Sequence, residues 1–232
     1  MKAWEDLPVD LRKNAVRPYY DHLKKRTGSL LFKRILDLIC AAVLVALLLP
    51  LYLVLAILIK IDSRGPVFYR QERITRYGKR FRIFKFRTMV VNADRLGAAV
   101  TGRDDPRVTR IGKVLRRLRL DETPQLLNVL SGDMSFVGTR PEVEQYVACY
   151  TDEMLATLLL PAGITSEASL RYKDEASLLD TAGDPDKVYV DEILPAKMKW
   201  NLQALKEFSL CNEIKLAFRT VAAVLGKDAA DQ

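Results

Sequence analysis

The apolar positions divide this chain into one long apolar block and several short amphipathic ones. Leu38–Ile59 is a run of 22 residues without a charge. As a helix it would measure about 33 Å, enough to match the hydrocarbon core of a bilayer. Pro50 falls near its middle, where it removes a backbone donor and bends or breaks a helix. Lys24, Lys25, Arg26, Lys33 and Arg34 precede the block, and Lys60, Arg64, Arg70 and Arg73 follow it. With positive flanks on both sides, neither end looks external. The pattern therefore predicts a re-entrant segment that turns at Pro50 and leaves by the face it entered. A kinked helix that crosses the bilayer is the alternative.

The shorter blocks predict an α+β fold that is mostly helical, with a small sheet and interfacial amphipathic helices. Residues 1–34 are polar, and Tyr19-Tyr20 and Lys24-Lys25-Arg26 beside Leu30-Leu31-Phe32 suit an interfacial segment. No early apolar region marks a secretory signal. After the membrane segment at 35–61, residues 62–232 form the remaining domain. Val67-Phe68-Tyr69 and Phe81–Arg87 read as two strands joined through Tyr77-Gly78-Lys79. Ile111, Val114, Leu115 and Leu118 recur at helical spacing among Lys113, Arg116, Arg117 and Arg119, which describes a basic amphipathic helix. Leu126, Leu127, Val129 and Leu130 make a short helix ending at Ser131-Gly132, and residues 133–141 are strand-like into a turn. Residues 142–160 look helical, Pro161–Thr165 breaks the run, and a last helix is expected from Lys197 to Leu225.

Charge changes this picture by locating an anionic partner. Of the formal net +8, residues 64–119 hold 17 Lys/Arg against 4 Asp/Glu, while residues 141–232 hold 9 against 16. The cationic field belongs to the middle of the chain and calls for phosphate, acidic lipid or nucleic acid there. No nucleic-acid motif accompanies it, so nucleic acid is not an expected partner. The three cysteines (Cys40, Cys149, Cys211) lack any CxxC spacing and read as reduced, packed thiols. The single histidine, His22, reads as a surface residue.

The candidate chemistry sits where the basic run meets the short apolar helix, at Asp121-Glu122. Adjacent carboxylates interact, so one proton is held more tightly than the other. Such a pair serves as nucleophile plus proton carrier, as ligands for a divalent metal, or simply as an acidic first helical turn before Pro124. Arg116 lies within two turns of the pair and could neutralise a phosphate approaching it. Lys85 and Arg87 are two apart and would share one side of a strand, as a fork for phosphate oxygens or as a solvated face. Asp104-Asp105 could bind a metal or start a turn.

Three blocks carry a family resemblance: KRILDL ahead of the apolar run, GPVFYRQERITRYGKRFRIFKFRTM, and LDETPQLLNVLSGDMSFVGTRPE, with weaker echoes at PAGIT (161–165) and ILPAK (193–197). Over about residues 30–220 the chain resembles a monotopic phosphoglycosyl transferase of the bacterial sugar transferase family, in its small form. The resemblance implies transfer of a sugar-1-phosphate from a nucleotide-sugar donor, expected to be a UDP-sugar, to a polyprenyl phosphate acceptor in membrane lipid. It implies that Asp121 attacks the sugar-proximal phosphate to form a covalent intermediate, that Glu122 is the second catalytic carboxylate, and that Mg²⁺ binds at Asp121 and Glu122. Arg116, Arg140 and Pro141 match its phosphate-holding positions, and Lys85 and Arg87 fall in its FKFR block. Localisation at the bacterial inner membrane, with residues 62–232 facing the cytoplasm, follows from the same likeness; a homodimer is compatible with it. Departures from the family pattern are Thr139 before Arg140-Pro141 in place of a proline, Leu49 before Pro50 in place of a serine, and Ser166–Leu170 after PAGIT. The competing reading is a membrane-tethered basic module that binds anionic lipid or nucleic acid without catalysis.

Overall fold

A computed structural model describes residues 1–93, 105–172 and 184–224. In chain order its main elements are α1 (Arg17–Lys25), α2 (Thr27–Asp62), β1 (Phe68–Ile74), β2 (Arg80–Phe86), α3 (Arg110–Arg117) and α4 (Gln125–Ser131). They continue with β3 (Met134–Val137), α5 (Glu144–Val147), β4 (Ala162–Thr165), α6 (Glu167–Arg171), α7 (Pro185–Val188), α8 (Leu194–Lys206) and α9 (Leu210–Val224). The mostly helical α+β expectation holds at this level.

The apolar block lies inside α2, which stays helical through Pro50. Its most apolar 18-residue window, of mean hydropathy 3.0, is only 17% buried. One stripe of the helix nonetheless faces the rest of the chain along nearly its whole length. Asp37, Ala41, Tyr52, Leu55 and Ile59 are buried, with Val45 and Leu48 partly so between them. The three- and four-residue spacing of these positions is what keeps them on one face. Leu31, Leu47, Leu53, Ile57 and Ile61 point away, each more than half exposed.

Both ends of α2 are fastened to the same domain, by different means. At the N-terminal end Lys33 donates to Ser135 Oγ (2.6 Å) and to the Val137 carbonyl (3.1 Å), and Arg34 donates to the Val129 carbonyl (2.8 Å). Buried Asp37 accepts from Ser135 Oγ at 2.7 Å. At the C-terminal end Asp62 accepts the Ile111 amide at 3.0 Å, while Tyr52, Leu55 and Ile59 pack on Phe86 and Leu115.

β1 and β2 pair antiparallel, Phe68 opposite Phe86 and Ile74 opposite Arg80, and the chain reverses where Tyr77 and Gly78 both take positive φ (61° and 74°). β1 runs five residues beyond the expected Tyr69, because cross-strand contacts accommodate its charges: Arg70 stacks on Phe84 (3.5 Å to the ring centre), and Glu72 meets Arg80 (3.6 Å). The second sheet is a parallel pair of β3 and β4. Pro161–Thr165, expected only as a break, supplies β4. There the strand ends approach so closely that a Cβ on Gly163 would lie 2.2 Å from the Gly138 amide, so the small residue is a packing requirement.

Other expectations change. Residues 142–160 form only α5 and a 3₁₀ stretch, Met154–Leu159. The last helix begins at Leu194 and is divided into α8 and α9 around Phe208, which is 2% exposed and belongs to the core; Leu225, its expected end, lies outside the described residues. The N-terminal segment contributes Leu7, Leu11, Val16, Tyr19, Tyr20 and Leu23 to that same core, against Leu159, Leu202 and Leu205. His22 is half-buried, its Nε2 enclosed, rather than a surface residue. The three cysteines are free, as expected, but exposed rather than packed.

Candidate active site

The Asp121-Glu122 pair owes its presentation to an abrupt turn between two helices. Thr109 caps α3 by accepting the Gly112 amide at 3.0 Å. After Leu118 the chain passes through Arg119, a non-glycine residue at φ 56°, ψ 22°, a conformation worth about 1 kcal/mol of strain or more. This left-handed residue redirects the backbone into a single 3₁₀ turn, Leu120–Glu122, instead of continuing the basic helix. Leu120 packs with the cluster of Tyr52, Leu55 and Ile59, so the acids begin one residue away from α2. Pro124 then precedes α4, which closes at Gly132 (φ 91°), where the left-handed conformation suits glycine. The acidic pair thus lies ahead of α4 in its own turn, not inside the helix's first turn.

β2 is brought to this turn by a side chain that sequence reasoning passed over. Asn128 on α4 accepts the Phe84 amide (2.8 Å) and donates to the Arg82 carbonyl (3.0 Å), so it continues the hydrogen bonding of the strand's open edge. An asparagine among the leucines and valine of a short helix was the available signal. With β2 held this way, Lys85 Nζ donates to Glu122 Oε1 at 2.8 Å. From the other side Arg140 reaches both oxygens of Glu122, at 3.2 Å to Oε2 and more closely to Oε1.

The two carboxylates are therefore placed in opposite electrostatic settings. Burial works against the Glu122 charge, but Arg140 and Lys85 outweigh it and hold this carboxyl well below its ordinary range. Asp121 is pushed up, first by burial and then by the Glu122 charge; Lys85 and Arg116 offset this only in part. Lys85 and Arg116 act on Asp121 through their charge, in contrast to the direct hydrogen bonds that Lys85 and Arg140 give to Glu122. The pair consists of one clamped, ionised carboxylate and one open neighbour, an arrangement that separates two acid roles.

The other expected residues are placed as follows. Arg116 donates through Nε to Thr88 Oγ1 at 3.0 Å and feels the Asp121 charge without bonding to it. Pro141 is buried, and its carbonyl accepts Arg73 Nη1 at 3.3 Å. Arg87 does not join Lys85. The strand ends at Phe86, and Arg87 turns, 5% exposed, into the end of α2. It donates there to the Ser63 carbonyl (2.6 Å), Ser63 Oγ (2.9 Å) and the Arg64 carbonyl (3.0 Å). Asp104 lies outside the described residues. Asp105 is bound by Arg107, whose bonds hold its carboxyl down at about 2. Among the described residues no cluster of three or more metal-binding side chains forms.

Comparison with known proteins gives this geometry a context. The family description Bacterial sugar transferase matches residues 28–227. A UDP-N-acetylgalactosamine-undecaprenyl-phosphate N-acetylgalactosaminephosphotransferase of Aeromonas hydrophila is 36% identical over 216 residues, which cover 88% of this chain and 48% of that protein. A UDP-glucose:undecaprenyl-phosphate glucose-1-phosphate transferase of Caulobacter vibrioides is 37% identical over 201 residues, or 85% of this chain and 71% of that one. An undecaprenyl-phosphate galactose phosphotransferase of Salmonella typhimurium is 32% identical over 225 residues, covering 90% and 44%. The chain thus spans about half the length of the Aeromonas and Salmonella relatives. Matched over most of its own length, the chain belongs to the bacterial sugar transferase family, a family of enzymes that includes the small monotopic phosphoglycosyl transferases.

Proposed function

We propose that this protein transfers a sugar-1-phosphate from a UDP-sugar to a polyprenyl phosphate at the surface of the bacterial inner membrane. The relatives' names share undecaprenyl phosphate and differ in the sugar, so the transfer of a phosphosugar is the chemistry carried over. The observation that carries the reading is the divided carboxylate pair, with Asp121 open beside cations and Glu122 held. In the first step an Asp121 oxygen bonds to the sugar-proximal phosphorus. The bond from that phosphorus to the bridging oxygen breaks, and the electron pair leaves with UMP. In the second step an oxygen of the polyprenyl phosphate bonds to the same phosphorus, the acyl-phosphate bond breaks, and Asp121 regains its carboxylate. Acyl phosphates suit this task because the carboxylate is a good leaving group. Arg140 and Lys85 are within reach of an entering diphosphate only by sharing or leaving Glu122, so Glu122 keeps them aimed while the site is empty.

The donor set suits a Mg²⁺ that arrives on the diphosphate, since such ions commonly take one or two carboxylates and complete their shell with phosphate and water. Asp121 would be its principal protein ligand, and Glu122 could contribute only by yielding a contact to Lys85 or Arg140. When bound, the ion offsets the charge of the diphosphate. The fastening of both ends of α2 to one domain supports an anchor that enters and leaves by one face, because a bitopic helix would carry one end away from that domain. The helix is nevertheless continuous through Pro50 and not broken there as the sequence predicts. Basic flanks on both sides then favour the cytoplasmic face.

Incubating the protein in lipid nanodiscs with a panel of UDP-sugars, followed by mass spectrometry of the intact chain, tests the reading. A phosphosugar adduct is expected on the native chain and not on Asp121→Asn, with turnover reduced by at least about 1,000-fold. Near-normal UMP release by Asp121→Asn would overturn the assignment.

A further inference from the structure

Behind the Arg140 turn lies a second ionic cluster that the transfer steps leave unused. Glu142 is 7% exposed, and Tyr189 and Lys197 are 4% exposed each. Tyr189 donates its hydroxyl to Glu142 Oε1 at 2.6 Å. Lys197 Nζ donates to that hydroxyl at 3.1 Å and stands 3.7 Å from Glu142 Oε1. Arg73 Nη1 lies 4.0 Å from Glu142 Oε2 while donating to the Pro141 carbonyl, and the Glu142 carbonyl accepts the Ile74 amide at 3.0 Å. Residues 141 and 142 are thereby held from two directions, by β1 through their carbonyls and by the Tyr189–Lys197 segment through the Glu142 carboxylate.

A carboxylate this buried is very costly to leave unpaired, so the cluster strongly favours one arrangement of the turn. The residue next to that fixed point is Arg140. Its side chain is 36% exposed, against 8% for Glu142 and 6% for Lys197. The guanidinium is thus the more accessible part, while the backbone beside it is held at Pro141 and Glu142. Arg140 must pass from Glu122 to a phosphate oxygen, and a planar fork does this well only if its base stays in place.

We propose that Glu142, Tyr189 and Lys197 are positioning residues for the transfer, acting through the backbone of the Arg140 turn so that its guanidinium can exchange Glu122 for a phosphate of the donor. The proposal rests on the transfer reading of the Asp121-Glu122 site. It also gives a task to the ILPAK block, whose lysine is Lys197 and which the reaction steps do not use.

A double-mutant cycle on the full chain in nanodiscs tests it. Tyr189→Phe should lower kcat/KM for the donor about tenfold in the native background, the scale of a lost hydrogen bond to a charged group. In an Arg140→Gln background the same change should cost less than about twofold, because the arm it steadies is gone. Lys197→Met should behave like Tyr189→Phe, and Lys197→Arg should recover part of the loss. A cluster that only supports folding would lower Tm and act equally in both backgrounds, and such additivity would overturn the proposal. Binding of inorganic pyrophosphate, followed by calorimetry through the same cycle, needs no turnover. Coupling in pyrophosphate binding with no phosphosugar transfer from any donor would defeat the transfer reading alone. Transfer with additive effects would defeat the positioning role alone.

Discussion

Two glutamates in this molecule are each held by one lysine and one arginine, and they differ in what lies beside them. Glu122 has Lys85 and Arg140; Glu142 has Lys197 and Arg73. Around Glu142 the shell closes, since Tyr189 supplies a further donor and the group is buried. Around Glu122 the shell stays open, with its side chain 19% exposed, its arginine about a third exposed and Asp121 next to it. A closed ion cluster fixes geometry. An open one can exchange its carboxylate for a substrate oxyanion. On the proposed reading the contrast separates an aspartate used for chemistry from a glutamate that prepares cations for it, and both from a glutamate that holds the turn behind them.

The sharpest way to break this contrast is to neutralise each glutamate in turn. Glu122→Gln should reduce turnover about 100-fold, because Lys85 and Arg140 lose the anion that aims them in the empty site. Glu142→Gln should cost about tenfold, since its influence passes through Arg140 alone. Equal losses from the two substitutions, measured as kcat/KM for the donor, would remove the distinction between an open and a closed cluster.

Arg87 offers a smaller test, because it is a cation that donates to backbone carbonyls and a serine hydroxyl. Arg87→Met should destabilise the fold by about 2–4 kcal/mol by leaving buried carbonyls unpaired. Chemical denaturation in detergent would read this. The donor KM of the folded fraction should stay within about twofold of the native value. A large rise in KM without loss of stability would return Arg87 to the phosphate-binding set.

How much of this was legible beforehand depended on the range of the interaction. The apolar run of α2, the β1–β2 hairpin and the basic helix α3 announce themselves through local periodicity, and the acidic pair through its setting among known blocks. Local spacing could not say that Lys85 and Arg87 part company. Strand alternation predicts a shared side only while the strand lasts, and it stops at Phe86. Asn128 closing an edge of β2, and Glu142 meeting Tyr189 and Lys197, join positions 44 to 55 residues apart, with no periodic signal. Nor did the sequence show that β4 would form at Pro161–Thr165, since its partner is β3, across an intervening stretch that reads as helical.

The finest test of the contrast is the pH dependence of stability, compared between Asp121→Asn and Glu122→Gln in metal-free buffer. The Glu122 carboxyl is held below its unfolded value of 4.5, so its charged form stabilises the fold. That contribution is present above about pH 4.5 and is lost as pH falls through the depressed folded value. Asp121 behaves in the opposite sense. Its folded value is raised above 3.8, so its contribution is fully present below that pH and is lost as pH rises through the folded value, where the charge burdens the native state. At neutral pH Asp121→Asn should therefore raise Tm by a few degrees, on the scale of about 2–4 °C per kcal/mol for a chain of this size. Glu122→Gln should lower it by a similar amount. Both differences should shrink as pH falls: that of Asp121→Asn once its raised carboxyl is protonated in the fold, and that of Glu122→Gln only below about pH 4.5, as pH continues down through the depressed folded value. If Asp121→Asn proved less stable than the native chain at neutral pH, Asp121 would be a supported structural acid. It would then no longer be the half-buried, unclamped member of the pair on which the proposed chemistry depends.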